Sequence, residues 1–171
     1  MARKIQLLLV DDDEADILIC QEALKKAPFV HGIAVCRSGK QALDYLQRKS
    51  PYHKAPRPDL VLLDINMPGM DGLEVLRRIK SDPDLQRIPV CMLTTSDAKQ
   101  DVAQAYAAHA NAYVPKPGEL DMFIAAVRRV VEFWTQDNEL PGPGQSVRPT
   151  PPTPIQPGPP ATRFSKIQAQ R

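Results

Sequence analysis

The chain has 171 residues, 43% of them hydrophobic and 25% charged, which suits one domain with a full buried core. No apolar run approaches the roughly 18 residues of a membrane span, and the three cysteines are too widely spaced for a zinc site or a disulfide framework, so they are predicted to be reduced. Four of the 22 basic residues lie in 141–171, which contain no acid, so residues 1–140 carry 18 basic and 20 acidic residues and offer no basic surface for nucleic acid.

The beginning of the chain does not read as a signal peptide. Residues 1–4 carry charge, but only the short apolar run 5–10 follows before three aspartates. We therefore expect a cytoplasmic protein that does not enter the membrane.

Between residues 5 and 134, short apolar runs alternate with longer segments of helical period, which is typical of βα units around a parallel sheet. The pattern predicts an α/β fold, a doubly wound (βα)5 parallel sheet of flavodoxin-like strand order 2-1-3-4-5. The predicted strands are Ile5–Val10, Gly32–Cys36, Leu60–Asp64, Val90–Thr94 and Ala112–Pro115. The predicted helices cover residues 14–26, 39–48, 72–80, 98–108 and 119–134.

Residues 141–171 hold nine of the 18 prolines, interleaved with Gly, Ser, Thr and Gln. This composition buries too little apolar surface to offset the entropy cost of ordering. We expect one folded domain over residues 1–140, followed by a basic, Pro-rich disordered tail over 141–171. A specific docking segment is the alternative for the tail.

In this strand order, ligands bind outside the carboxyl ends of the strands. The chemistry-bearing residues placed there are Asp11, Asp12, Asp64, Thr94 and Lys116. Carboxylates a few ångströms apart repel one another strongly, and Mg²⁺ neutralises such clusters while keeping sites for water and phosphate oxygens. The cluster therefore predicts a metal site that receives a phosphoryl group.

Asp64 is the predicted nucleophile of this site. A carboxylate can attack phosphorus and hold the group as an acyl phosphate. Asp64 ends the most apolar strand and precedes a loop, 65–72, whose proline and glycines favour a tight turn into the next helix.

Four motifs at the strand ends resemble those of one known family. They are LLVDD at 8–12, LDINMPGMDG at 63–72, VCMLTT at 90–95 and YVPKP at 113–117. Over residues 5–134 the chain resembles the receiver domains of two-component response regulators. The resemblance implies a switch that accepts a phosphoryl group from a sensor histidine kinase and signals through protein contacts, rather than an enzyme.

The resemblance also implies a ligand set for Mg²⁺. Asp12 and Asp64 correspond to direct ligands, and Asp11 to an acid that acts through water. Asn66 corresponds to the position whose backbone carbonyl completes the metal shell.

For the phosphoryl group, the resemblance implies contacts from the Thr94 hydroxyl and the Lys116 ammonium group. Tyr113 corresponds to an aromatic residue that changes rotamer together with Thr94. Asn66 and Thr95 correspond to variable positions that tune how fast the phosphate is lost.

Other acids near the motifs have a simpler interpretation. Asp13, Glu14 and Asp16 are predicted to cap and charge-complement the first helix rather than bind ligands. Asp71 is predicted to begin the third helix. Pro115 removes a backbone donor, which predicts that the fifth strand lies at an edge of the sheet.

An insertion at 48–58 lengthens the connection before the third strand. Together with the segments 83–89, 93–96 and 133–134, it makes the chain resemble stand-alone regulators that are paired with bacterial phytochrome histidine kinases. Such regulators suggest a homodimer through the face formed by the fourth helix, the fifth strand and the fifth helix. Phe133, Trp134 and Leu140 are candidate contacts, and the alternative is that Trp134 only closes the core.

Two rival functions fit the sequence less well. A haloacid-dehalogenase type phosphohydrolase uses a D-x-D pair, whereas Asp64-Ile65-Asn66 lacks the second acid. A flavodoxin-like binding module needs glycines and hydroxyls after the first strand, where Asp11, Asp12 and Asp13 repel phosphate. A degenerate receiver is disfavoured by the intact residue set.

Overall fold

A computed structural model describes residues 4–25 and 27–140, and the predicted tail over 141–171 lies outside them. The strands are β1 Ile5–Val10, β2 Val30–Cys36, β3 Leu60–Leu63, β4 Val90–Thr94 and β5 Ala112–Pro115. The helices are α1 Glu14–Leu24, α2 Gly39–Leu46, α3 Gly72–Ser81, α4 Lys99–Ala107 and α5 Leu120–Gln136. Within the described residues, no helix combines the length and apolar character needed to cross a membrane.

The five strands form one parallel sheet in the order β2-β1-β3-β4-β5, which confirms the predicted topology. In β1, Leu8 lies opposite Ala34 of β2 and Val61 of β3. β3 and β4 are buried throughout, whereas β5 is half-buried and ends in the exposed Pro115. β5 therefore forms an edge of the sheet, as its proline predicts.

Each face of the sheet has its own hydrophobic core, because successive strand residues point to opposite faces. On one face, Leu8 packs with Leu76 of α3 in a core that α2 also covers. On the other face, Leu7 packs with Ile17 of α1 and Val127 of α5. Cover on both faces explains why the strand sequences are almost continuously apolar.

Several element boundaries differ from those predicted. β2 begins at Val30, two residues earlier than predicted, and β3 ends at Leu63, so Asp64 is the first residue beyond the strand. α2 ends at Leu46, two residues earlier than predicted, and Arg48 adopts a left-handed backbone with φ of 55°. The chain therefore leaves the helix before the insertion at 48–58.

The insertion folds back along α2. The Tyr45 hydroxyl donates to the Pro56 carbonyl oxygen at 3.1 Å, and Gln41 Nε2 donates to the Tyr52 hydroxyl at 2.9 Å. The Tyr45 and Tyr52 rings lie 5.4 Å apart. These contacts make the insertion an ordered part of the surface around α2.

The three cysteines are buried and unpaired, as predicted. Burial raises the pKa of the Cys20, Cys36 and Cys91 thiols to about 12. Such thiols are poor nucleophiles and act as small apolar side chains.

Candidate functional site

The carboxyl ends of the strands gather the buried polar side chains. Among the described residues, these side chains are Asp11, Asp64 and Thr94. Backbone hydrogen bonds hold the strand ends together: Asp64 N donates to Val10 O at 2.9 Å, and Lys116 N donates to Thr94 O at 2.7 Å. The predicted cluster therefore lies at one edge of the sheet.

Asp11, Asp12 and Asp64 form a group with the geometry of a cation site. Each offers one carboxylate oxygen, and the three oxygens lie within 4.8 Å of one another. Asp11 and Asp64 are buried and Asp12 is exposed, so solvent reaches the group on the Asp12 side. Hard oxygen ligands with access to water suit a divalent cation. The donor set fits such an ion.

Asn66 is exposed, and its side chain joins two loops of the site. Asn66 Nδ2 donates to Thr95 Oγ1 at 3.4 Å, across the loops that follow β3 and β4. The two residues that the resemblance connects with phosphate loss are thus in contact. The metal-binding role of the Asn66 backbone carbonyl stays a prediction.

Lys116 lies at the centre of the acids. Its Nζ donates to Asp11 Oδ2 and to Asp16 Oδ2, each at 2.7 Å, and lies 3.7 Å from Asp64 Oδ2. The Lys116 side chain is only 3% exposed. The ammonium group therefore offsets part of the negative charge of three carboxylates.

Asp16 is the one acid of this group whose predicted role is confined to the helix. It lies in the first turn of α1, four residues before the buried Cys20. Residues i and i+4 share a helix face, so Asp16 points toward the sheet rather than into solvent. The helical spacing between Asp16 and Cys20 is the sequence signal that indicates an inward-facing Asp16.

Charge and burial oppose each other at these groups. Burial raises the pKa of Asp11, and hydrogen bonds from Lys116 and from the Asp13 amide offset part of that effect. Burial alone would lower the pKa of Lys116, but its hydrogen bonds to Asp11 and Asp16, together with the attraction of the Asp64 and Asp11 charges, hold the pKa above its ordinary value. The Lys116 side chain is thus a fixed positive charge.

Thr94 and Tyr113 meet at the same residue of the β4–α4 loop. Thr94 Oγ1 accepts a hydrogen bond from Ser96 N at 3.3 Å, and the Tyr113 hydroxyl donates to Ser96 O at 2.8 Å. The backbone of Ser96 therefore links the two residues that the resemblance describes as a coupled pair.

The turn that follows Asp64 requires glycine at position 72. Gly72 N donates to Ile65 O at 2.9 Å, and a Cβ on Gly72 would lie 1.9 Å from Asp64 O. Ile65 N donates to Asp64 Oδ1 at 2.9 Å and fixes that side of the carboxylate. This local packing sets the position of Asp64.

The capping assignments agree with the structure for two acids. Asp13 caps α1 by accepting from Ala15 N and Asp16 N, and Asp71 caps α3 by accepting from Glu74 N at 2.7 Å. Glu14 does not cap the helix, but it lies in the first turn of α1, where its charge complements the helix as predicted, and it also pairs with Arg37 just after β2.

Comparison with known proteins gives one consistent relationship. Residues 7–128 match the family model of the response regulator receiver domain. Response regulator Rcp1 from Synechocystis sp. is 42% identical over 135 residues, which cover 79% of this chain and 92% of Rcp1. The crystal structure of the phosphorylated cyanobacterial phytochrome response regulator RcpA has a TM-score of 0.79 at 42% identity, covering 81% of this chain and 99% of RcpA. The Mn²⁺-bound form of Rcp1 has a TM-score of 0.78 at 41% identity, with the same coverage.

The fold and its acidic edge define a signalling switch of the receiver type, in which a phosphoryl group is accepted in two-component signalling. The chain belongs to the response regulator receiver domain family. Its relatives include regulators associated with phytochromes. This relationship disfavours both the phosphohydrolase and the flavodoxin-like alternatives.

Proposed function

We propose that Asp64 is the residue that accepts the phosphoryl group. Asp12, Asp64 and the Asn66 carbonyl bind Mg²⁺ directly, and Asp11 binds it through water. The observation that supports this assignment best is the pairing of a buried Asp64 carboxylate with a buried ammonium group at 3.7 Å, beside two further acids.

The proposed transfer is a displacement at phosphorus. An oxygen of Asp64 forms a bond to phosphorus, and the phosphorus–nitrogen bond of a kinase phosphohistidine breaks. The electron pair of that bond stays on the nitrogen, and the imidazole leaves as a neutral ring because its other nitrogen already carries a proton. Lys116 and Thr94 donate hydrogen bonds to the phosphoryl oxygens, and such charge-assisted bonds are strong. A bound cation supplies further neutralisation of the negative charge.

The proposed phosphoryl donor is a sensor histidine kinase of the bacterial phytochrome type in the cytoplasm. The similarity to phytochrome response regulators over most of the chain supports this partner. Phosphotransfer from such a kinase, measured in its two light states, tests the assignment. Equal transfer from unrelated kinases would contradict it.

We further propose that phosphorylation favours a homodimer through the α4–β5–α5 face. Arg128 of α5 donates to Ala23 O of α1, and Phe133 lies about 140° around the helix from Arg128, on the side away from α1. Phe133 is 50% exposed, and Tyr106 of α4 is 53% exposed. Trp134 instead donates to Cys91 Sγ at 3.0 Å and packs on the core, so Phe133 is the preferred contact.

The proposed division of the chain keeps all of this chemistry in residues 1–140. We propose that residues 141–171 form a disordered tail that leaves phosphorylation unchanged. Removal of 141–171 is expected to leave phosphorylation and kinase binding unaltered, and weaker kinase binding by the shortened chain would support a docking segment.

The assignment of Asp64 is tested by phosphorylation with and without Mg²⁺. The native protein is expected to gain one acid-stable, base-labile phosphate from a small phosphoryl donor only when Mg²⁺ is present. Asp64→Asn is expected to gain none while remaining folded by circular dichroism. Equal labelling of Asp64→Asn would overturn the assignment.

A further inference from the structure

Asp16 makes a contact that helix capping does not require. Its carboxylate accepts a hydrogen bond from Lys116 Nζ at 2.7 Å, across 100 residues of sequence, and its side chain is 22% exposed. Asp13 already caps α1. The contact with Lys116 therefore gives Asp16 a role in the site that is separate from helix capping.

The contact with Asp16 occupies one of the hydrogen-bond donors of Lys116. A lysine ammonium group has three N–H donors, and two of them donate to Asp11 and Asp16. The distance of 3.7 Å between Nζ and Asp64 Oδ2 allows ionic attraction but is too long for a hydrogen bond. The buried Asp64 carboxylate attracts the nearby ammonium group of Lys116. The hydrogen bonds to Asp16 and Asp11 keep the ammonium group from moving closer to Asp64.

We propose that Asp16 is a positioning residue that holds Lys116 off Asp64 in the unphosphorylated protein. Asp64 Oδ2 thereby stays open to the divalent cation and to phosphorus, while one N–H of Lys116 remains for a phosphoryl oxygen. Without the Asp16 charge, Lys116 moves into hydrogen-bonding distance of Asp64 and competes with the divalent metal ion for the Asp64 carboxylate. The proposal rests on the function proposed for Asp64.

The structure supplies a matched control for this proposal. Glu14 is also an acid in the first turn of α1, but it pairs with Arg37 rather than with Lys116. Asp16→Asn and Glu14→Gln each remove one negative charge from the same helical turn. They differ in the basic residue that loses its partner.

The test measures Mg²⁺ affinity by titration calorimetry of the full chain, with no phosphoryl donor present. Asp16→Asn is expected to raise the Mg²⁺ dissociation constant about fivefold, because the Lys116 ammonium group beside Asp64 repels the metal ion. Glu14→Gln is expected to raise it less than about twofold, because solvent screens the charge at this exposed position. Equal weakening in both variants, or none in Asp16→Asn, would overturn the proposal.

Two further measurements exclude a merely structural effect. Asp16→Glu keeps the carboxylate and is expected to recover most of the lost Mg²⁺ affinity, whereas affinity as low as in Asp16→Asn would count against positioning. A metal-free crystal structure of Asp16→Asn is expected to show Lys116 Nζ within hydrogen-bonding distance of Asp64, and an unmoved Lys116 would refute the mechanism.

Failure of this proposal is distinguishable from failure of the proposed function. If Asp64→Asn loses the phosphate but Asp16→Asn binds Mg²⁺ like Glu14→Gln, only the role of Asp16 is wrong. If Asp64→Asn keeps the phosphate, the assignment of Asp64 itself is wrong.

Discussion

Lys116 carries the only positive charge in contact with Asp11, Asp16 and Asp64 among the ion pairs of the described residues. Removing one partner of a buried ion pair leaves uncompensated charge, which costs about 3–5 kcal/mol. We expect Lys116→Met to lower the free energy of unfolding by that amount in metal-free buffer. Mg²⁺ is expected to restore part of the loss, because it binds the folded state and replaces the missing charge. Urea unfolding with and without Mg²⁺ measures both effects.

Lys25 provides the comparison for Lys116→Met. It pairs with Glu22, but the two side chains are 69% and 65% exposed. Exposed pairs contribute about 0–1 kcal/mol, so Lys25→Met is expected to change stability little and to show no response to Mg²⁺. Similar losses in the two variants would contradict the charge balance described for the site.

Gly72 couples the packing of α3 to the position of Asp64. Because a Cβ at Gly72 would meet Asp64 O at 1.9 Å, Gly72→Ala must displace the Asp64 backbone. We expect it to cost at least about 2 kcal/mol in unfolding free energy and to weaken Mg²⁺ binding. Gly118→Ala is the control, since among the described residues, its two chain neighbours aside, no atom lies within 4 Å of a Cβ there. Equal stability of the two variants would show that the loop tolerates the side chain.

At the scale of elements, α3 depends on the capping residue that precedes it. Asp71 caps the helix by accepting from Glu74 N at 2.7 Å, and it is exposed and outside the acid cluster. Asp71→Ala is expected to cost about 1 kcal/mol while leaving the extent of Asp64 phosphorylation unchanged. Thermal unfolding and phosphate labelling check the two parts, and lost labelling in a folded variant would mean that Asp71 serves the site directly.

The strands and their order could be predicted because burial on both faces leaves a simple signal. Leu60–Leu63 is uninterrupted and apolar, and the residue after it could be recognised as lying at the carboxyl edge. The start of β2 was less visible, since His31 and Gly32 interrupt its pattern. The fold therefore followed from the sequence more accurately than the ends of its elements.

The candidate site was predictable as far as strand ends determine it. Asp11, Asp64 and Thr94 follow from the topology, because parallel strands bring their carboxyl ends together. The contact of Asp16 with Lys116 joins a helix to the end of an edge strand, and no local pattern specifies such a distant pairing. The link from Thr94 to Tyr113 through Ser96 likewise depends on a loop conformation.

At the scale of the whole molecule, the proposed dimer makes a specific prediction about Phe133. Phe133→Glu places a charge on the exposed α5 side of the α4–β5–α5 face. We expect it to abolish the dimer that forms on phosphorylation or beryllofluoride binding, because an unpaired charge in an apolar contact is costly. Sedimentation velocity over a concentration series measures the association.

Leu18 of α1 is the matched control for Phe133, since it is also a large exposed apolar residue, at 62%, on another helix. Leu18→Glu is expected to leave dimerisation intact. A native protein that remains monomeric with and without beryllofluoride would contradict the proposed assembly, and equal loss in both variants would place the contact elsewhere.

The most direct test of the proposed chemistry is to locate the phosphate itself. Borohydride reduces an aspartyl phosphate to homoserine, which mass spectrometry of proteolytic peptides assigns to one position. After labelling in the presence of Mg²⁺, homoserine is expected at position 64 and at neither Asp11 nor Asp12. Homoserine at another aspartate, with an unmodified Asp64, would contradict the central claim.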